Sequence, residues 1–163
     1  MKTLYLARHA KSSWKHPELS DIERPLNKRG KRDAPYIGNV LKDKGVKPDL
    51  LISSPAIRAR KTAAVIAEII EYPKSKIIID DNIYESSSSE LINIIQRFDD
   101  KYKSVMIFGH NPCFTILNNY LSDSYIDNIP TCGIVGIHFN SSWKKINGKS
   151  GKTFFFIYPK LFK

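Results

Sequence analysis

Residues 1–11 read MKTLYLARHAK, and the junction at Ala7-Arg8 decides how the rest of the chain is understood. Lys2–Ala7 is a short, mostly apolar run of strand length. Arg8-His9-Ala10-Lys11 then places two cations and an imidazole at its end. The same arrangement recurs downstream. Leu50–Ser53 reads as a strand and runs into Ser53-Ser54-Pro55-Ala56-Ile57-Arg58-Ala59-Arg60. Ser104–Gly109 reads as a strand and runs into Gly109-His110-Asn111-Pro112.

The segments between these strands change period. Residues 11–26, with Pro17 and Pro25, read as a long loop. Asn27 is placed to cap a helix running to about Lys44, with Gly45 as its stop. Pro55 starts a turn into a helix from Ala56 to about Ile70, apolar at Val65, Ile66, Ile69 and Ile70. Lys76–Ile79 reads as a short β-branched strand. Glu90–Phe98 reads as a helix with Leu91, Ile94, Ile95 and Phe98 on one face. Phe114–Leu121 is helical. Gly133–Phe139 and Thr153–Tyr158 read as a late antiparallel pair joined by the basic stretch Trp143–Lys152. Strands that alternate with helices imply βαβ units. The expected fold is three-layer α/β/α with a mainly parallel central sheet, in one domain spanning residues 1–163. In such sheets ligands bind at the carboxyl ends of the strands. That rule directs attention to the three junctions quoted above.

Composition narrows the function classes. The chain has 163 residues with 42% hydrophobic and 26% charged, as expected of a globular protein. No apolar run approaches the roughly 18 residues of a membrane span. Arg8 interrupts the N-terminus before a signal-peptide apolar stretch could develop, so the expected location is the cytoplasm. Cys113 and Cys132 form neither a disulfide framework nor a metal motif and read as ordinary packing or surface residues. The net charge is +10. Residues 1–62 carry 15 basic and 6 acidic residues, residues 63–139 carry 5 and 10, and residues 140–163 carry 6 and none. Such a balance favours anionic partners: nucleic acid, acidic protein faces or phosphorylated substrates. With 19 Lys and 22 Ile, a general compositional bias explains the bulk charge equally well. It does not explain why Arg and His stand at three separate strand ends.

Two Arg and two His converging at one sheet edge would form a dense pocket for a phosphoryl group. The planar Arg fork pairs bidentately with phosphate oxygens. A His can attack phosphorus and divide one hard transfer into two easier ones. Taken singly, a His after a strand is usually structural and an Arg usually solvated. The joint placement is what points to chemistry. His16, in a loop, and His138, within a strand, are read as ordinary.

These blocks carry a resemblance. Leu6-Ala7-Arg8-His9 resembles the opening signature of the histidine phosphatase superfamily, which has the phosphoglycerate mutase-like fold. Ser53-Ser54-Pro55 with Arg58-Ala59 and Thr62-Ala63 is similar to its second block, and Gly109-His110-Asn111-Pro112 to its third. Arg24-Pro25-Leu26-Asn27 with Arg29-Gly30 resembles its loop-to-helix segment. The short length and Arg8-His9-Ala10-Lys11-Ser12 look most like the SixA-type phosphohistidine phosphatase branch. One departure is Ala10, where the superfamily usually has Gly; it adds one methyl and leaves the nucleophile in place.

The resemblance implies roles. His9 would be the nucleophile and become phosphohistidine. Arg8, Arg58 and His110 would hold the phosphoryl oxygens, Arg24 would reach the pocket rim, and Ser54 would orient Arg8 or His9. It implies no metal and no cofactor, and no acidic cluster suited to Mg²⁺ stands beside the blocks. Glu85 is the candidate general acid; a solvated loop carboxylate is the equal alternative. Imidazole can be protonated near neutral pH, so a phosphohistidine substrate would depend less on a protein acid.

Between Arg58 and His110 little chain remains for a lid beyond a strand and a short helix. An open site suits a phosphorylated side chain on another protein, hence a phosphohistidine protein phosphatase. The alternative is a broad small-molecule phosphomonoesterase or mutase acting on small phosphate esters. A non-enzymatic polyanion binder ranks below both. Trp143-Lys144-Lys145 and Lys152–Tyr158 mix basic and aromatic residues, but Phe154, Phe155, Phe156 and Tyr158 read more simply as core strand. Nucleic acid and membrane are therefore not expected partners, and a monomer is the expected state.

Overall fold

Alternation along the first strand sets the architecture. In the computed structural model, which describes residues 1–162, β1 spans Lys2–Arg8 and is flanked by sheet on both sides. Leu4 and Leu6 point into one core, Tyr5 and Ala7 into another. That is the period of two expected of a strand covered on both faces.

The remaining elements follow as α1 (Lys28–Asp43), β2 (Leu50–Ser53), α2 (Ile57–Ile69), β3 (Ile78–Ile79), α3 (Ser88–Gln96), β4 (Ser104–Gly109), α4 (Cys113–Leu121), β5 (Ile134–Phe139) and β6 (Gly151–Ile157). The sheet order is β3-β2-β4-β1-β5-β6. The pairs β1–β4, β2–β4 and β2–β3 are parallel, whereas β1–β5 and β5–β6 are antiparallel. Ala34, Ile37 and Leu41 of α1 and Ala63, Ile66 and Ala67 of α2 pack with Leu51, Met106 and Phe108. Leu91, Ile94 and Ile95 of α3 and Phe114, Leu117 and Leu121 of α4 pack with Leu50, Ile52, Val105 and Ile107 on the opposite face. The result is the expected three-layer α/β/α arrangement with a mainly parallel sheet.

Local chemistry fixes the helix ends. The Asn27 side chain accepts the Gly30 N–H at 2.8 Å and opens α1. Gly45, just past its end, adopts φ +71°. Ser87 and Glu90 form a reciprocal capping box, so α3 begins at Ser88 rather than at Glu90.

Three expectations need correction. The third strand is only Ile78–Ile79, both exposed, because Lys74–Lys76 turns as a 3₁₀ helix. Of the apolar positions in and just after α2, Ile66 and Ile70 are buried and Val65 and Ile69 partly covered, and Ala59, Ala63 and Ala67 complete the buried side, where small residues let α1 approach. Residues 11–26 are not plain loop: Asp21–Glu23 forms a 3₁₀ turn, and Ser12 bridges to Leu26. Phe154 is exposed and Phe155, Phe156 and Tyr158 are half-buried, because β6 is the outer strand of the sheet.

Candidate active site

The strand ends meet as the sequence suggests. The Arg8 N–H donates to Gly133 O at 2.9 Å and the His9 N–H to Gly109 O at 3.1 Å, so both residues are clamped between β5 and β4. The Ser54 N–H donates to Phe108 O at 3.0 Å and fixes the end of β2. Between these ends and residues 11–24 lies a cleft of about 410 Å³. Arg8, His9, Arg24, Arg58, Glu85 and His110 all line it.

Behind His9, close packing leaves little play. A Cβ on Gly30 would lie 2.1 Å from Lys11 O, so only glycine lets the first turn of α1 approach this close. The Ala10 N–H donates to Thr62 Oγ1 at 3.0 Å, and its methyl is wholly buried in the core beneath. The Ala10 methyl is thus absorbed by packing and does not intrude on the cleft.

His9 is 8% exposed. Its Nδ1 lies 2.7 Å from Ala10 O. A carbonyl oxygen can only accept, so Nδ1 carries the proton and the lone pair is left on Nε2. Burial, with smaller contributions from His110, Arg58 and Arg8, pushes the His9 pKa down to about 3. The ring is therefore neutral, and Nε2 is available as a nucleophile. His110 lies beside it, with ring centroids 5.1 Å apart. Burial, then Arg58, lowers the His110 pKa to about 4. Ser54 Oγ lies 2.8 Å from His110 Nε2 and also accepts the Ala56 N–H. Ser54 therefore fixes His110, not Arg8 or His9 as the sequence led us to expect; its position at the end of β2 faces β4.

The arginines are held by a residue the sequence reading passed over. Asp21 O accepts from Arg58 Nη1 at 2.6 Å, and Asp21 Oδ2 accepts from Arg58 Nη2 at 2.9 Å. Asp21 Oδ1 accepts from Arg24 Nη1 at 2.9 Å, and the Tyr84 hydroxyl donates to Oδ2 at 2.5 Å. The Tyr84 bond, followed by those from the arginines, holds the Asp21 carboxyl well below the usual carboxylate range. Tyr84 in turn is pushed up to about 12 by desolvation and by Asp21. Its ring packs edge-on against His110, with centroids 5.6 Å apart.

Arg24 also donates to Ser13 O and Ser12 Oγ, and its guanidinium lies 3.4 Å from the Trp14 ring centroid. It is 8% exposed and lines the cleft, its guanidinium engaged by the 11–24 segment. Arg8 donates to Ile129 O at 2.8 Å, while its buried Nε has no partner. Desolvation lowers the Arg8 pKa. Glu85 is exposed at the cleft wall with φ +54°. Among the described residues no group of three His, Cys, Asp or Glu could hold a metal ion. The Ser20-x-x-Glu23 capping box was the one sequence signal that the loop folds back here, and Asp21 lies inside it.

The cleft is thus a cationic bowl around a neutral His9, able to bind an oxyanion and to offer a nitrogen lone pair. Keeping two histidines neutral has a consequence for stability. The His9 pKa is lower in the folded chain than the ordinary 6.5, so the unfolded chain takes up the proton first. Stability is full above about pH 6.5 and falls as pH drops towards 3. Replacement of His9 by Gln is expected to shallow that acid limb by up to about one proton. Urea unfolding of both proteins between pH 7 and 4 checks this, and parallel limbs would contradict it.

A model of the histidine phosphatase superfamily (branch 1) matches residues 4–103. That span includes Arg8, His9 and Arg58; His110 lies beyond it and joins them through β4. An uncharacterised chloroplastic protein of Arabidopsis thaliana is 30% identical over 159 residues, covering 92% of this chain and 72% of that protein. A solved structure described as a candidate phosphohistidine phosphatase SixA from Agrobacterium tumefaciens is 26% identical, with a TM-score of 0.80, over 97% of this chain and 98% of that one. A protein histidine phosphatase SixA complexed with tungstate superposes with a TM-score of 0.86 at 20% identity, over 99% of both chains.

Proposed function

Since the chain belongs to the histidine phosphatase superfamily, we propose that it is a phosphatase acting through a phosphohistidine on His9, with phosphohistidine on another protein as its substrate. The observation that carries this reading is the His9 tautomer: Nδ1 is tied to Ala10 O and Nε2 is free, inside a ring of arginines. In the first step the Nε2 lone pair forms a bond to phosphorus as the bond to the leaving nitrogen breaks. The leaving imidazole keeps that electron pair and carries a proton on its ring near neutral pH. Arg8, Arg58 and His110 stabilise the charge on the phosphoryl oxygens. Water then attacks phosphorus, the bond to Nε2 breaks, and its electrons return to the ring as phosphate leaves. None of these steps calls for a metal.

Two observations support a protein substrate. Apart from β4, the strands and helices between Arg58 and His110 are the rest of α2, the two-residue β3 and the nine-residue α3, which leave little chain for a lid over the cleft. The SixA structures match this chain along nearly their whole length. No helix among the described residues is long and apolar enough to cross a membrane. We place the protein in the cytoplasm, acting as a monomeric single domain.

Glu85 at the cleft wall is the specific feature favouring a small-ester phosphatase, since an alkoxide needs a proton donor. The two readings separate on Glu85→Gln. For a phosphohistidine-bearing phosphotransfer domain, kcat is expected to stay within about threefold of wild type; for an alkyl phosphate it is expected to fall by about 10². Wild-type kcat/KM higher for the ester than for the phosphoprotein would move the small-molecule reading ahead.

A further inference from the structure

Trp14 is the most unusual residue of the cleft. It lines the cavity yet is 75% exposed. A single exposed ring is ordinary on a protein surface, but this one lines the cleft and is stacked on a fixed cation. One face of this ring lies on the Arg24 guanidinium, at 3.4 Å from the ring centroid. Arg24 itself is immobilised by Ser12, Ser13 and Asp21. The indole is thus held by a rigid cation on one side and offers a flat apolar surface on the other.

In-line displacement decides what meets that surface. His9 is on the buried floor of the cleft. The leaving group must stand opposite the attacking nitrogen, with phosphorus between them, and so on the solvent side of the bound phosphoryl. The exposed residues lining the cleft are Trp14, Asp21 and Glu85, while the Tyr84 ring is half-buried against His110 and Asp21 is engaged by the arginines. Glu85 offers no apolar contact, whereas Trp14 offers a planar one.

We propose that Trp14 is a specificity-determining residue whose free face stacks on the ring of the leaving group, selecting substrates whose phosphoryl is borne by an aromatic ring such as imidazole. This rests on the cleft being catalytic, as argued above. A flat ring on indole gains an offset-stacked contact worth severalfold in binding; a small acyl or alkyl group gains much less. Such selection acts on KM and kcat/KM, not on the attack by His9.

The test compares Trp14→Leu and Trp14→Phe with wild type on phosphoimidazole, phenyl phosphate and acetyl phosphate. The selectivity for the two ring-bearing substrates over acetyl phosphate is expected to fall about tenfold in Trp14→Leu, mainly through KM, and to recover to within about threefold in Trp14→Phe. If Trp14 serves only to fasten Arg24, all three substrates decline together and the proposal is overturned. A second readout needs no substitution at Trp14. Trp143, the second tryptophan, is fully buried, so ligand-induced changes in indole emission report on Trp14. In a His9→Ala background, phenyl phosphate is expected to quench that emission more strongly than inorganic phosphate at equal occupancy. Equal quenching by both would also overturn the proposal. Absence of turnover of every substrate by wild type would instead defeat the phosphatase reading.

Discussion

Replacing His9 with alanine is expected to lower kcat by about 10⁴ or more, with inorganic phosphate still bound. The first half follows from the covalent route. Without Nε2 there is no enzyme atom to take the phosphoryl group, and a methyl group cannot position water in its place. The second half follows from the rest of the bowl. Arg8 is clamped by its backbone to Gly133 and by its side chain to Ile129. Arg58 is clamped by Asp21, and His110 lies against Ser54 Oγ. None of these contacts passes through the His9 ring. Phosphate release from a phosphohistidine protein gives the first quantity and phosphate titration by calorimetry the second. A variant retaining a tenth of wild-type kcat would remove His9 from the nucleophile's role.

Arg58→Ala carries the next largest expected effect, a loss of about 10²–10³ in kcat. Arg58 is 6% exposed and aims at the cleft from the first turn of α2, where Asp21 grips it twice. A donor fixed in this way needs no reorganisation as charge builds on the phosphoryl oxygens, and such preorganisation acts on kcat more than on KM. Lysine at this position is expected to restore little, since one ammonium cannot hold Asp21 O, Asp21 Oδ2 and a phosphoryl oxygen as the planar fork can. Steady-state kinetics of Arg58→Ala and Arg58→Lys make the check. A rise in KM alone would assign Arg58 to ground-state binding.

Much of the architecture was legible because both faces of the sheet are covered. Within these strands, Leu50–Ile52 and Val105–Phe108 are continuous apolar runs of the kind buried parallel strands require. What failed to register was set by tertiary contact. Ile78-Ile79 pairs with β2 over two residues, too short to impose a period. The Ser20–Glu23 capping box marks a turn around Asp21 but not its role, which comes from Arg58, 37 residues on, and Tyr84, 63 residues on. Ser54 was sensed as part of the site but given the wrong partner, because which strand end it faces depends on the order β2-β4-β1. Arg8, His9, Arg58 and His110 were legible for the opposite reason: each stands at the end of a strand or opens the helix after it, so the topology alone brings them to one edge.

The central claim is that His9 becomes covalently phosphorylated during turnover. The most direct measurement mixes the protein with a ³²P-labelled phosphohistidine phosphotransfer domain, quenches in alkali within milliseconds to preserve phosphoramidates, and maps the labelled peptide by mass spectrometry. Label on His9, appearing before free phosphate and absent in His9→Ala, is the expected result. Phosphate released with no label on the enzyme at any time, or label on a residue other than His9, would contradict it.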